Sequence, residues 1–247
     1  MPIASNSKFN TYKQKIQSLP SITKDTIKSN TFLLESNEKK KIDIYYAPFE
    51  YVNNTAKVVI IGITPGYFQM QQSYTTIWNH RDQEISDENL LHEVKKLSSF
   101  QGPMRKNLIA MLDELGLHKN LQIPSPNNLF DSHTHLVQTN SVIKYPVFYR
   151  SENYNGSTPN MIRTDTLLTY IKEGFVNEIN LMDNPLLIPL GVNVSQLLDY
   201  LIENDHIKKH MILRGFPHPS GGNGHRHRQF AEHKEAMKNY LQAYFQL

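Results

Sequence analysis

The chain has 247 residues, 39% hydrophobic and 20% charged, with 26 Lys and Arg against 23 Asp and Glu for a formal net charge of +3. That is material for one sizeable domain with its own core, and no apolar run approaches the roughly 18 residues needed to span a bilayer. The absence of cysteine excludes disulfides, thiolate zinc sites and iron–sulfur clusters, while the mild basic excess suits an anionic partner such as nucleic acid without requiring one.

The opening "MPIASNSKFNTYKQK" lacks the apolar centre of a secretion signal; together with the missing cysteines this gives a cytoplasmic expectation. Residues 6–18 and 23–36 read as amphipathic or polar helices, an N-terminal helical extension of about 50 residues. "KIDIYYAPFEYV" is an extended piece leading to the first core strand, 57–62, whose β-branched run Val58-Val59-Ile60-Ile61 ends in the turn Gly62-Ile63-Thr64-Pro65-Gly66. A helix starts at Ser86, with acidic residues in its first turn. The next helix carries Leu108, Met111, Leu112 and Leu115 at helical spacing and stops at Gly116. Residues 134–144 read as a second strand, 145–162 as a long surface loop of the functional kind, and 163–180 as a helix. "NPLLIPLG" is a short buried strand. A helix with Leu197, Leu198, Leu201 and Ile202 on one face follows it. "HMILRGF" is a fourth strand running into a second Gly/Pro turn, and the chain closes with a helix over "RQFAEHKEAMKNYLQAYF".

Strands near 58, 136, 187 and 211 alternating with helices predict a single domain, 1–247, built as a three-layer α/β/α sandwich around a central four-stranded, mainly parallel sheet. Both unusual turns then follow the carboxyl ends of strands, on the edge where such folds bind ligands.

In the second turn, Phe216-Pro217-His218-Pro219-Ser220-Gly221-Gly222-Asn223-Gly224-His225-Arg226-His227-Arg228, two prolines fix the backbone of a histidine and basic residues follow within reach. "GITPG" and "HPSGG" together resemble the two motifs of the uracil-DNA glycosylase superfamily. "GITPGYFQMQQ" is similar to the first motif of its single-strand-selective monofunctional branch, "VQTNSVIK" to its middle strand and "LLIPLG" to its third core strand. The resemblance spans about 57–222. It implies a cofactor-free, metal-free, monomeric enzyme that flips a nucleotide out of DNA and hydrolyses its N-glycosidic bond, leaving an abasic site.

By the resemblance His218 donates to the departing base anion, Asn140 reads the base edge through its amide, and Thr64 stands where the family places the residue that orients the attacking water. Gly62, Ile63, Pro65 and Gly66 line the base, and Phe68 or Trp78, with Ile77 beside it, supplies the stacking surface. Ser220 with the amides of Gly221 and Gly222 suits phosphate, and Arg226 and Arg228 add charge. The family's apolar wedge has no counterpart, leaving Asn223, His225 or Arg226 for that place.

A threonine hydroxyl holds a water but does not neutralise a developing cation. Three accounts therefore stand: Thr64 positions water weakly, a carboxylate such as Asp82, Glu84 or Asp131 substitutes, or catalysis is lost. Gly66 replaces the Tyr that shuts out C5 substituents in strict uracil enzymes, so the expected substrate is uracil or a C5-substituted pyrimidine. Glucosylated hydroxymethylcytosine of phage DNA is an alternative substrate, making the protein an antiviral defence enzyme. The competing classes are a non-catalytic nucleic-acid-binding module and an unrelated nucleotide hydrolase. "DSHTH" sets Asp131, His133 and His135 at alternate positions, ligand types whose spacing alone supplies no second shell, so no metal is expected.

Overall fold

The structure is a computed structural model that describes residues 3–209 and 211–246. The strands are β1 Leu33–Asn37, β2 Ile42–Tyr45, β3 Val58–Gly62, β4 Val137–Ser141, β5 Val147–Tyr149, β6 Glu152–Asn153 and β7 Leu186–Pro189. The helices are α1 Phe9–Gln17, α2 Lys24–Ile27, α3 Tyr67–Asn79, α4 Asp87–Ser98, α5 Pro103–Glu114, α6 Leu117–Asn120, α7 Asp165–Tyr170, α8 Asn177–Ile179, α9 Val192–Glu203 and α10 Arg226–Phe245. This is a mixed α/β chain with a parallel sheet flanked by helices. Its contacts divide it into two compact units, one of Met1–Val52, Ile63–Ser99 and Ser141–Glu178, the other of Asn53–Gly62, Phe100–Asn140 and Ile179–Leu247.

The second unit holds the parallel sheet, in the order β4-β3-β7. Every residue of β3 is buried, as a central strand covered on both faces requires. It runs parallel to β7, with Val58 opposite Leu186 and Ile60 opposite Ile188. Alternate side chains of both strands join Leu108, Met111 and Leu112 of α5 and Phe230, Met237 and Leu241 of α10 in one core. On α9, Val194, Leu197, Leu198 and Leu201 form the buried stripe at helical spacing. Pro103 opens α5, and Gly116 ends it in the left-handed region at φ +74°.

The expected fourth strand is reduced to one parallel bridge, Ile212 to Leu187, and His210 at its start lies outside the described residues. Leu187 exchanges both of its backbone bonds with this segment, donating to the Met211 carbonyl at 2.9 Å and accepting from Leu213 N–H at 2.8 Å. Pro189, two residues on and so facing the same side, has no N–H to extend the ladder. Arg214 and Gly215 turn the chain away there, with Gly215 at φ +87°.

The first unit is organised by a second sheet that the sequence reading did not foresee, antiparallel throughout, in the order β1-β2-β5-β6. Two expectations are corrected here. The helix expected over 23–36 shrinks to the four residues of α2, and Leu33 onward forms β1. Ile27 and Phe32, the fully buried residues of this stretch, stand five positions apart, which is not a helical stripe. The loop expected over 145–162 contains the hairpin β5–β6, whose two-residue turn places Arg150 and Ser151 at φ 51° and 66°, the signature of a type I′ turn. β5 pairs with β2, so the N-terminal segment is not only helical.

Helix α3 was also missed. Gly66 is its N-cap, and the Gln69 side chain accepts the Gly66 N–H at 2.8 Å. The helices expected at Ser86, over 163–180 and at the C-terminus are present, the second continuing from α7 to α8 through a π-helical stretch, Ile171–Val176.

Fully buried Glu50 lies deep in this unit and accepts from Tyr46 and Tyr145 hydroxyls at 3.0 and 2.6 Å, the Ser7 hydroxyl at 3.0 Å and the Lys8 N–H at 2.7 Å. Burial and the neighbouring carboxylate push the Tyr145 phenol far above its ordinary value, so it stays a donor. Tyr12 stacks on Tyr46 at 4.1 Å and Phe32 meets Tyr74 edge-on at 5.1 Å, closing an aromatic core.

Candidate functional site

The carboxyl end of the last parallel segment carries His218. Pro217 and Pro219 flank it and are buried, while the imidazole is half-buried. The Ser220 N–H donates to His218 Nδ1 at 3.3 Å. A ring nitrogen that accepts carries no proton, so in the neutral imidazole the proton sits on Nε2. Burial lowers the pKa of His218 below the usual 6.5, which favours that neutral form. The sequence thus builds a neutral Nε2–H donor on a rigid turn.

The rest of the loop fastens that ring. Asn223 Nδ2 donates to the His218 carbonyl at 3.1 Å and to Gln229 Oε1 at 3.0 Å, while its Oδ1 accepts the His225 N–H at 3.2 Å. The Arg226 guanidinium donates to the Ser220 carbonyl at 2.9 Å, and Asn107 of α5 donates to the Pro219 carbonyl at 2.8 Å. Asn223 and Arg226, candidates for a wedge, therefore brace the loop from within. Gly221 and Gly222 are exposed, with nothing within 4 Å of where a Cβ would stand. His225 and Arg228 are exposed, Arg228 pairing with Glu232 at 3.7 Å.

Asn107 and Gly191 were missed by the sequence reading. Gly191, the N-cap of α9, has φ +91°, and a Cβ there would stand 3.0 Å from His218 Cβ and 3.5 Å from its backbone nitrogen. Its signal was the glycine closing "LLIPLG". Gly191→Ala is expected to cost about 1–3 kcal/mol for the strained backbone and to displace the ring, read as a lower midpoint of thermal unfolding and shifted imidazole nitrogen resonances of His218. Asn140, also in this unit, is buried in β4, beside Gln138, whose Oε1 accepts the Asn53 N–H at 2.9 Å.

The turn after β3 belongs to the first unit from Ile63 onward. Gly62 is the buried last residue of the strand, and Pro65 is buried. The Ile63 carbonyl accepts the Ile143 N–H at 3.0 Å. The Thr64 hydroxyl donates to the Tyr145 carbonyl at 2.7 Å and accepts the Val147 N–H at 3.1 Å. Its proton is engaged, and one lone pair remains to accept from a water. Asn153 Oδ1 accepts the N–H of Tyr67, the first residue of α3, at 2.8 Å. The space beside Gly66 is not empty: a Cβ there would lie 3.5 to 3.6 Å from the Asn153 amide.

Phe68, in the first turn of α3, is 57% exposed. Trp78 is ten residues further along, about 15 Å at the α-helical rise. Its indole N–H donates to the Leu19 carbonyl at 2.8 Å and the Arg81 guanidinium covers its ring at 3.9 Å. The structure therefore does not bring Trp78 to the turn, and Ile77 is fully buried. Asp82 and Glu84 are exposed beyond the carboxyl end of α3, so neither reaches Thr64. Asp131 is exposed and precedes β4, whereas Asn140 lies near that strand's other end. The rings of His133 and His135 stand 5.8 Å apart, and among the described residues no group of three or more His, Asp or Glu is placed to hold a metal ion. No described helix is long and apolar enough to cross a membrane.

No family model matches the chain. Among solved structures, it is similar to the wild-type SMUG2 of Pedobacter heparinus, with 17% identity, a TM-score of 0.42, and 96% of this chain and 94% of that one covered. Among curated proteins, it is 38% identical over 245 residues to the uncharacterized protein YoxB of Bacillus subtilis (strain 168), covering 98% of this chain and 95% of that protein. The chain belongs to the family of YoxB.

Proposed function

We propose that the protein is a monofunctional DNA glycosylase that hydrolyses the N-glycosidic bond of a flipped-out uracil or C5-substituted pyrimidine. The observation that carries this reading is the Ser220 N–H donating to His218 Nδ1 at 3.3 Å, which in a neutral ring, the form burial favours, leaves the proton on Nε2 as a donor. Glycosidic cleavage leaves negative charge on the departing base, and a preorganised donor stabilises that charge as it forms. Asn140 holds the base edge, and the exposed Phe68 offers a face for stacking. Thr64 accepts from the attacking water through its remaining lone pair. The exposed Gly221–Gly222 amides with Ser220, His225 and Arg228 follow the phosphates.

A second reading, a DNA-binding module without catalysis, is favoured by the engagement of Thr64 with backbone and by the distance of Asp82 and Glu84 from the turn. Oligonucleotides carrying single uracil, 5-hydroxymethyluracil or glucosylated hydroxymethylcytosine residues, incubated with the protein and then treated with alkali, separate the two. Strand scission at one of these bases is the expected result. DNA binding without scission at any of them would establish the second reading, and scission confined to the glucosylated base would point to defence against phage.

A further inference from the structure

We infer that Asn153 determines which C5 substituent the protein accepts, through a hydrogen-bond donor aimed into the space beside Gly66. The inference rests on the reading that Gly66 borders the C5 edge of the bound pyrimidine. Three observations within the first unit carry it.

The Asn153 side chain fills part of the room that a glycine at 66 leaves, its Nδ2 standing 3.5 Å from the position of an added Cβ. Its orientation is fixed, because Oδ1 accepts the Tyr67 N–H at 2.8 Å and so must be the carbonyl oxygen of the amide. The amide nitrogen, the atom 3.5 Å from the Gly66 Cβ position, therefore carries two protons to donate, and the residue is exposed. The segment that presents it is anchored on both sides. β6 pairs with β5 through Phe148 opposite Asn153, and the Tyr154 N–H donates to the Val147 carbonyl at 3.0 Å. Three residues on, Gly156 at φ +83° lies so close over Ile63 that a Cβ would stand 3.0 Å from its Cδ1. The hairpin is thus clamped against the same turn that carries Thr64 and Gly66.

A donor in this place rewards a substituent that bears an acceptor oxygen, such as a hydroxymethyl group, and gives nothing to a methyl group. A Tyr at the glycine position would exclude both by bulk. Asn153 instead sorts substituents by chemistry, and the sorting depends on a residue outside the strand-end motifs.

The discriminating variant is Asn153→Asp. It keeps the acceptor for the Tyr67 N–H, and hence the fastening of α3, but replaces the amide donor by an acceptor. Single-turnover excision from otherwise identical oligonucleotides gives the ratio of 5-hydroxymethyluracil to uracil cleavage. The expected result is a ratio above one for the wild type that falls about tenfold in Asn153→Asp, the worth of roughly one hydrogen bond. Asn153→Ser, which shortens the side chain, is expected to lower the ratio as well. A wild-type ratio at or below one, or a ratio unchanged in Asn153→Asp, overturns the inference while leaving the glycosylase reading intact. Excision of no base by the wild type overturns the reading itself, and the inference with it.

Discussion

Replacing His218 by alanine is expected to lower the single-turnover excision rate roughly a hundred- to thousandfold, the usual effect of deleting one preorganised donor to a developing anion. The size follows from preorganisation. The ring is held by Ser220 at Nδ1, its backbone by Asn223, and its neighbours by Asn107 and Arg226, so the Nε2–H needs no reorientation as charge forms. A fall of less than about fivefold, well below the cost of losing such a donor, would remove His218 from the chemistry.

The same geometry sets the pH dependence. Burial holds the His218 pKa below 6.5, and protonation of Nδ1 would also oppose it to the Ser220 N–H, so the folded ring resists charging. Above 6.5 both folded and unfolded rings are neutral. As pH falls below 6.5 the unfolded chain takes up the proton first, so stability is present above that value and is lost as pH falls through the folded pKa. The excision rate is accordingly expected to be level through neutral pH and to decline only on the acid side, where a pH–rate profile displays the limb. In Ser220→Pro, which lacks the N–H, the limb is expected to move toward higher pH.

The second large effect is on stability. Glu50→Ala removes the acceptor for two buried phenols, a hydroxyl and a backbone N–H. An unsatisfied buried polar group costs about 1–3 kcal/mol, and the phenols of Tyr46 and Tyr145 have no solvent to turn to. A loss of at least about 3 kcal/mol is expected, measured from the midpoint of urea unfolding at unchanged slope. Glu50→Gln keeps the volume and one acceptor and is expected to lose less. A loss under about 1 kcal/mol for the alanine variant, less than one such group costs, would mean that the carboxylate does not organise the unit.

These two sites differ in how far the sequence disclosed them. The turns at "GITPG" and "HPSGG" are legible because Gly and Pro act locally: they stop strands and fix φ whatever surrounds them. The parallel strands β3, β4 and β7 are legible from β-branched and apolar runs between turns. The hairpin β5–β6 is not, because its identity comes from β2, far earlier in the chain, and three residues such as Val147-Phe148-Tyr149 carry no period of their own. Asn153 is hidden for that reason, since without the hairpin nothing in "SENYNG" points at Gly66. Trp78 shows the opposite error. An aromatic at a suggestive distance along the sequence was carried by the unrecognised helix α3 to a different place. Glu50, in an extended stretch of aromatics, gave no sign that Tyr145 would meet it.

Thr64 joins the turn to residues 145–147 by giving a proton to one backbone group and taking one from another. That double use restricts how this position can change during descent or in the laboratory. An aspartate offers only acceptors and would set a carboxylate against the Tyr145 carbonyl, so this scaffold admits it poorly. An asparagine has both a donor and an acceptor, but is one atom longer and needs the 145–147 segment to move. Under the proposed glycosylase reading, a stronger water-orienting group at this position therefore requires a coupled change in the facing segment 145–147, and threonine here keeps the reach of a hydroxyl until both change together.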